Sequence, residues 1–304
     1  MSRIIIGADG SERSGDAVAF GAAMAHLSGA AVTVVNAYPW QPTGFVGAHD
    51  VDHFQLEESE RILGRVSEPV RHLEGFESRS VSEPSPARAL HGLAEELDAE
   101  LIVVGSSHHG RLGRIFPGST AERLLHGSPC AVAVVPHGYR SSAHDGFGAI
   151  ACGWDGSPES TLALATAGSL AKQGNASLRV VLTLEPPEQY AFTPDVGVDP
   201  EHALAEARAH LERALAQAME TLPGTVEATG EVLEGIADRD LIEVSESVDL
   251  MVLGSRDYGP LHAVLLGGVS AKVMRESACP VIVVPNGSGR TLSSSADAQV
   301  AALR

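Results

Sequence analysis

The sequence is short of cysteine, aromatic residues and positive charge, and each shortage closes off a class of protein. Three cysteines in 304 residues (Cys130, Cys152 and Cys279) are too few and too scattered for a disulfide framework or a CxxC metal site. A reducing, cytoplasmic setting is the expectation. Aromatic residues make up 4% against 32 glycines, which argues against a long all-β protein. Lys and Arg number 21 against 39 Asp and Glu, a net charge of −18. Binding a phosphate backbone needs a basic footprint, so no nucleic acid and no membrane surface is expected as a partner. Residues 17–49 hold no Asp, Glu, Lys or Arg, but the run is broken by His26, Ser28, Gly29, Asn36 and Pro39. It reads as a helix and a buried strand rather than a membrane span. Arg3 is followed by only a few apolar residues before Asp9, which does not read as a signal peptide. Catalytic signatures are missing as well: there is no GxxxxGK[ST], GxSxG or HExxH, no GxGxxG at the first strand turn and no SGGxDS loop. An enzyme is not expected.

What is present is a duplication. IIIGADGSERS at 4–14 matches IACGWDGSPES at 150–160, an offset of 146 between Asp9 and Asp155. Residues 101–136 align without gaps to 250–285 at a constant offset of 149, with 13 of 36 positions identical. Agreement of that density at a fixed offset makes the chain a tandem repeat. Its expected parts are a first domain at 1–138, a polar linker at 139–147, a second domain at 148–287 and a loose Ser/Ala-rich tail at 288–304.

Each half alternates strands and helices. Strands are expected near 2–8, 31–37, 76–82, 100–105 and 130–136, with helices near 12–28, 53–73, 86–98 and 119–127. The second half repeats the strands near 149–154, 177–184, 225–232, 249–254 and 279–284. Its long helix is marked by Leu204, Ala207, Leu211, Ala214, Leu215 and Ala218 at helical spacing. The Val/Ile/Leu runs at 100–105 and 130–136 suit parallel strands buried on both faces. The fold class is therefore α/β, two doubly wound parallel sheets in tandem. Such sheets bind ligands beyond the carboxyl ends of their strands.

Two segments of each half converge there: Ala8-Asp9-Gly10-Ser11 or Trp154-Asp155-Gly156-Ser157, and the loop from Gly105 to Ser119 or Gly254 to Gly268. Ser119 followed by Glu122 has the spacing of a capping box, which makes Ser119 an expected N-cap, and a helix start suits a phosphate. Arg111 and Arg114 in the same loop can add charged contacts. Asp-Gly-Ser is equally an ordinary turn ahead of a helix, and glycines bounding a strand are ordinary turn devices.

These residues give the chain a resemblance to tandem universal stress proteins over nearly all of residues 2–286, carried by the Asp at each first strand end, the glycine loop and the closing Cys-Ala/Pro-Val-x-Val-Val-Pro strand. The resemblance implies a five-stranded parallel sheet of order 3-2-1-4-5 in each half, and packing of the halves as an intrachain pseudo-dimer. It also implies a homodimer of chains and ATP, with or without magnesium, as the ligand of a stress-response regulator with little or no catalysis.

In ATP-binding members the loop reads Gly, two residues, Gly, nine residues, Gly, then Ser or Thr. Here Gly105, Gly118 and Ser119 match while His108 holds the second glycine position. In the second half Gly254 and Gly267 match, with Asp257 at the second glycine and Gly268 at the serine. Asp9 and Asp155 stand where the resemblance places the acidic residue near the adenosine, and Ala37 and Leu184 near the adenine. Val104, Thr120, Leu253 and Val269 complete the two sets. Asp257 sets a negative charge where a polyphosphate would lie, so the first half is the better ATP site. A nucleotide-free dimerising scaffold of the same fold is the alternative. His49 and His53 at i, i+4 read as a solvated loop rather than a metal site, and the cysteines as small buried hydrophobes.

Overall fold

The computed structural model of the chain describes residues 2–39, 48–107, 112–141, 146–185, 200–255 and 268–285. The first half runs β1 (Arg3–Gly7), α1 (Glu12–Ser28), β2 (Ala31–Tyr38), α2 (Ala48–Val66), β3 (Glu77–Ser82), α3 (Pro86–Glu96), β4 (Leu101–Gly105), α4 (Ser119–Leu124) and β5 (Ala131–Val135). The second runs β6 (Ala149–Gly153), α5 (Pro158–Gly174), β7 (Ser177–Leu184), α6 (Pro200–Met219), β8 (Ala228–Glu234), α7 (Ala237–Val244), β9 (Leu250–Gly254), α8 (Gly268–Glu276) and β10 (Val281–Val284).

The strands form a single ten-stranded sheet of order β3-β2-β1-β4-β5-β10-β9-β6-β7-β8. The 3-2-1-4-5 order holds in each half, and every neighbour is parallel except β5 against β10. There Val281 lies opposite Val134 and Val283 opposite Val132, antiparallel. The halves pack as the pseudo-dimer that the resemblance implied, through a backbone ladder rather than side chains alone.

Apolar runs explain the layers. Ile4, Ile5 and Ile6 are fully buried because alternate side chains enter separate cores on the two faces: Ile4 and Ile6 pack under α1, and Ile5 packs under α3. The middle of β1 is thus apolar at three successive positions, as a sheet covered on both sides favours.

Several boundaries move. The helix expected to reach residue 73 stops at Val66, because Pro69 has no N–H to continue the ladder; a short 3-10 turn follows at Glu68–Val70. The strand expected at 225–232 is Ala228–Glu234. On α6, Leu215 is buried and Leu211, Ala214 and Ala218 pack beside it, while Ala207 faces solvent.

The stretch read as a polar linker carries buried aromatics at both ends. Tyr139 and Phe147 each meet Phe20 of α1 edge-on, with ring centroids 5.7 Å apart. The buried carboxylate of Asp16 accepts from the amides of Gly138 (2.9 Å) and Arg140 (3.0 Å), and Asp249 accepts from those of Gly148 (2.8 Å) and Ala149 (2.9 Å). The connection is thereby fastened to both halves.

Candidate functional site

At the carboxyl end of β1 the chain must turn sharply into α1. Gly10 supplies the turn at φ +83°, and Gly156 does so at φ +82° in the second half, a region that L side chains avoid. Asp9 stabilises its turn: Oδ1 accepts from the Ser11 amide (3.0 Å) and the Ser14 hydroxyl (2.6 Å), and Ser14 Oγ accepts from the Asp9 amide (2.8 Å). Asp155 repeats the pattern with the Ser157 amide at 3.0 Å. Both aspartates therefore hold the helix entry in place, and both stand exposed at the mouth of a cleft.

The first cleft encloses about 320 Å³. Asp9, Ala8, Ala37, Val104 and Gly105 line it from the strand ends, and Gly118, Ser119 and Thr120 line it from the start of α4. His108 lies outside the described residues, as does Arg111. The chain after β4 is tied to the segment before α4: Ser106 Oγ accepts from the Phe116 amide at 2.7 Å, and the Ser107 amide donates to the Phe116 carbonyl at 2.6 Å.

Two expectations need correcting here. Gly118, in extended conformation, is the N-cap of α4; Ser119 is its first helical residue, and no side-chain cap bond forms. Arg114 does not serve the cleft. It reaches across the seam to the Glu276 carbonyl (2.9 Å) and the Glu246 carboxylate, because its segment runs beside the second half.

Arg13 does serve the cleft. This half-buried side chain of α1 lines it and donates from Nε to the Ser107 carbonyl at 2.8 Å. Its position was already visible in the repeat, where GSERS meets GSPES and Arg13 aligns with Glu159.

The second cleft encloses about 270 Å³, with Asp155, Leu253, Gly254 and Val269 in its lining. Gly267, Asp257 and the rest of 256–267 lie outside the described residues. Gly268 begins α8 outside the lining, which takes up Val269 and Ser270 instead. Leu184 is also displaced: pairing of Ile4 with Val32 and of Ile150 with Leu178 makes Thr183 the equivalent of Ala37, and it is Thr183 that lines the cleft. A one-residue slip along a strand exchanges its faces. Trp154, which stands in the segment expected to converge here, also lines this cleft, as do Glu159 and Glu185, which the sequence motifs did not single out.

Gly105 and Gly254 have a structural duty beside any ligand. A Cβ on Gly105 would lie 2.4 Å from the Arg13 carbonyl oxygen, and one on Gly254 would lie 2.8 Å from that of Glu159. The first turns of α1 and α5 cross these strand ends so closely that only glycine fits.

The remaining polar candidates are plain. His53 pairs with Glu57 at 3.2 Å, while the side chain of His49 lies outside the described residues. All three cysteines are buried, and burial pushes Cys152 and Cys279 up to about 12. Only the thiolate is reactive, so the native chain is expected to resist iodoacetamide at pH 8 and to label at all three positions in denaturant. Because both values lie above the ordinary 9.0, their contribution to stability is complete below pH 9.0 and is lost as pH rises towards 12. Urea midpoints across that interval should fall.

Comparison with known proteins agrees with this architecture. The family model described as "Universal stress protein family" matches residues 1–136 and again 146–285. Universal stress protein Rv2319c of Mycobacterium tuberculosis is 31% identical over 234 residues, covering 75% of this chain and 77% of that protein. Universal stress protein Rv2005c of the same organism is 30% identical over 291 residues, covering 92% and 96%. The crystal structure of a universal stress protein from Archaeoglobus fulgidus shares the fold at a TM-score of 0.64 and 19% identity, over 94% of this chain and 98% of that one. With the family's pattern matched in both halves, the chain belongs to the universal stress protein family and carries two of its domains in tandem.

Proposed function

We propose that the chain is a cytoplasmic stress-response regulator that binds ATP in its first cleft and signals through conformation or partner binding, with little or no catalysis. The observation that supports this reading is the make-up of that cleft. Val35, Leu90 and Val104 form an apolar wall, Asp9 offers an acceptor and Arg13 a cation. Those three properties match the three parts of a nucleotide: flat base, hydroxyl-bearing sugar and anionic tail. The volume of about 320 Å³ is ample for partial enclosure of such a ligand. Magnesium can accompany the phosphates, and the ligand carries a signal only if it favours one state of the protein over another. Two chains pair as a homodimer in this reading. With β5 and β10 bound to each other, the outer strands of the sheet are β3 and β8.

The test is to purify the protein without added nucleotide, denature it, and identify what is released by chromatography. Near-stoichiometric ATP is the expected result. No released nucleotide, followed by no calorimetric binding of ATP with magnesium, would overturn the reading in favour of a nucleotide-free scaffold.

A further inference from the structure

The repeat gives each residue of the first cleft an internal comparison, because the second half shows what the fold itself needs at that place. The register that matches Ala37 with Thr183 also matches Asn36 with Leu182. This position lines the cleft in both halves and is almost fully buried in both, Asn36 at 6% exposed and Leu182 at 4%. Leu182 belongs to the apolar core. The fold therefore does not require a carboxamide here, and burying one costs free energy unless its polar atoms are met.

One end of Asn36 is met within the protein. Its Nδ2 donates to the Ala8 carbonyl at 2.6 Å. A backbone carbonyl can only accept, so this bond fixes which end of the carboxamide is nitrogen and leaves Oδ1 as an acceptor. Among the described residues nothing donates to that oxygen. Asn36 stands between Val35 and Ala37 on β2, and all three line the cleft. The acceptor thus belongs to the strand that supplies part of the apolar wall, away in sequence from the Ser and Thr residues that begin α4.

We infer that Asn36 selects the base: its Oδ1 accepts from an exocyclic amine on the bound ring, and a ring with a carbonyl at that place is rejected. The inference rests on the nucleotide reading of the first cleft and adds to it the residue that discriminates between bases. Adenine carries such an amine, whereas guanine and hypoxanthine carry a carbonyl. Setting one acceptor against another loses the bond and leaves a buried oxygen unmet, the situation in which hydrogen-bonding sites discriminate most strongly. A mere strut for Ala8 would affect all nucleotides alike, so the readout is a ratio of two affinities.

Inosine triphosphate differs from ATP in the base alone. In calorimetric titration of the full chain, ATP is expected to bind at least about tenfold more tightly than inosine triphosphate. Asn36→Leu installs the residue that the second half carries; it should weaken ATP about tenfold and leave inosine triphosphate nearly unchanged. Asn36→Asp keeps an acceptor and should keep the preference, whatever it does to the two affinities together. Equal affinities in the unsubstituted chain would overturn the inference. So would a preference for ATP that survives Asn36→Leu, the result expected of a strut, or one that Asn36→Asp abolishes. Binding at the second cleft, where Leu182 already stands, would show as a component that neither substitution changes. Absence of binding by either nucleotide in the unsubstituted chain would remove the nucleotide reading itself, and the inference with it.

Discussion

With ATP bound in the first cleft as proposed, Arg13→Glu is expected to lower its affinity by roughly 10- to 100-fold in isothermal titration calorimetry. A hydrogen bond to a charged group contributes about 1.5–3 kcal/mol, and each 1.4 kcal/mol is a factor of ten. The replacement removes the one cation that the described residues bring to the first cleft and installs the residue that the second cleft already has. Arg13→Gln keeps a donor and loses the charge, so its loss should be smaller, and the native affinity should fall with rising salt. Because Arg13 also donates to the Ser107 carbonyl, thermal unfolding is the companion measurement. A Tm close to the native one assigns the lost affinity to charge; a normal affinity for ATP in Arg13→Glu would exclude Arg13 as the phosphate contact.

Phe20→Ala is the substitution with the largest expected effect on stability, about 3–5 kcal/mol in urea unfolding. Phe20 is fully buried, and its ring meets Tyr139 on one side and Phe147 on another. Truncation leaves a cavity and also removes two edge-to-face contacts worth about 0.5–1.5 kcal/mol each beyond burial. Those partners flank the connection between the halves, so limited proteolysis should cut between residues 136 and 148 much faster in the variant. Phe20→Leu fills most of the space and should be cut at close to the native rate. If Phe20→Ala unfolds at native urea concentrations, the aromatic cluster is not what holds the connection down.

Much of the fold was legible because burial on both faces leaves a plain mark. Ile4-Ile5-Ile6 and Leu101-Ile102-Val103-Val104 are apolar at every position, β-branched for the most part and short, which suits a covered parallel strand. The repeat then supplied the second sheet from the first. Charge in loops was harder to read, since spacing says nothing about direction: Arg114 lies in the glycine loop and serves the seam, whereas Arg13 lies in a helix and serves the cleft. Trp154 lies in the segment expected at the second cleft, but the position it repeats holds Ala8, so the duplication carries no sign of an indole there. Tyr139 and Phe147 were hidden in a stretch whose average composition is polar. Leu184 shows the limit set by register, where an error of a single residue exchanges the cleft lining for a side chain packed against the core.

The antiparallel join of β5 to β10 has a consequence for how such a protein can change over time. In an assembly of two identical chains, each substitution arises twice, and a change that suits one binding pocket is forced on the other. Joining the halves through one polypeptide removes that constraint. It also makes the pairing independent of protein concentration, since the partner is always tethered nearby. Arg13 and Glu159 occupy matching places with opposite charge, a combination that no symmetric pair of chains can encode. Covalent duplication here acts as a licence for the halves to specialise, while the shared sheet keeps them folded as a unit.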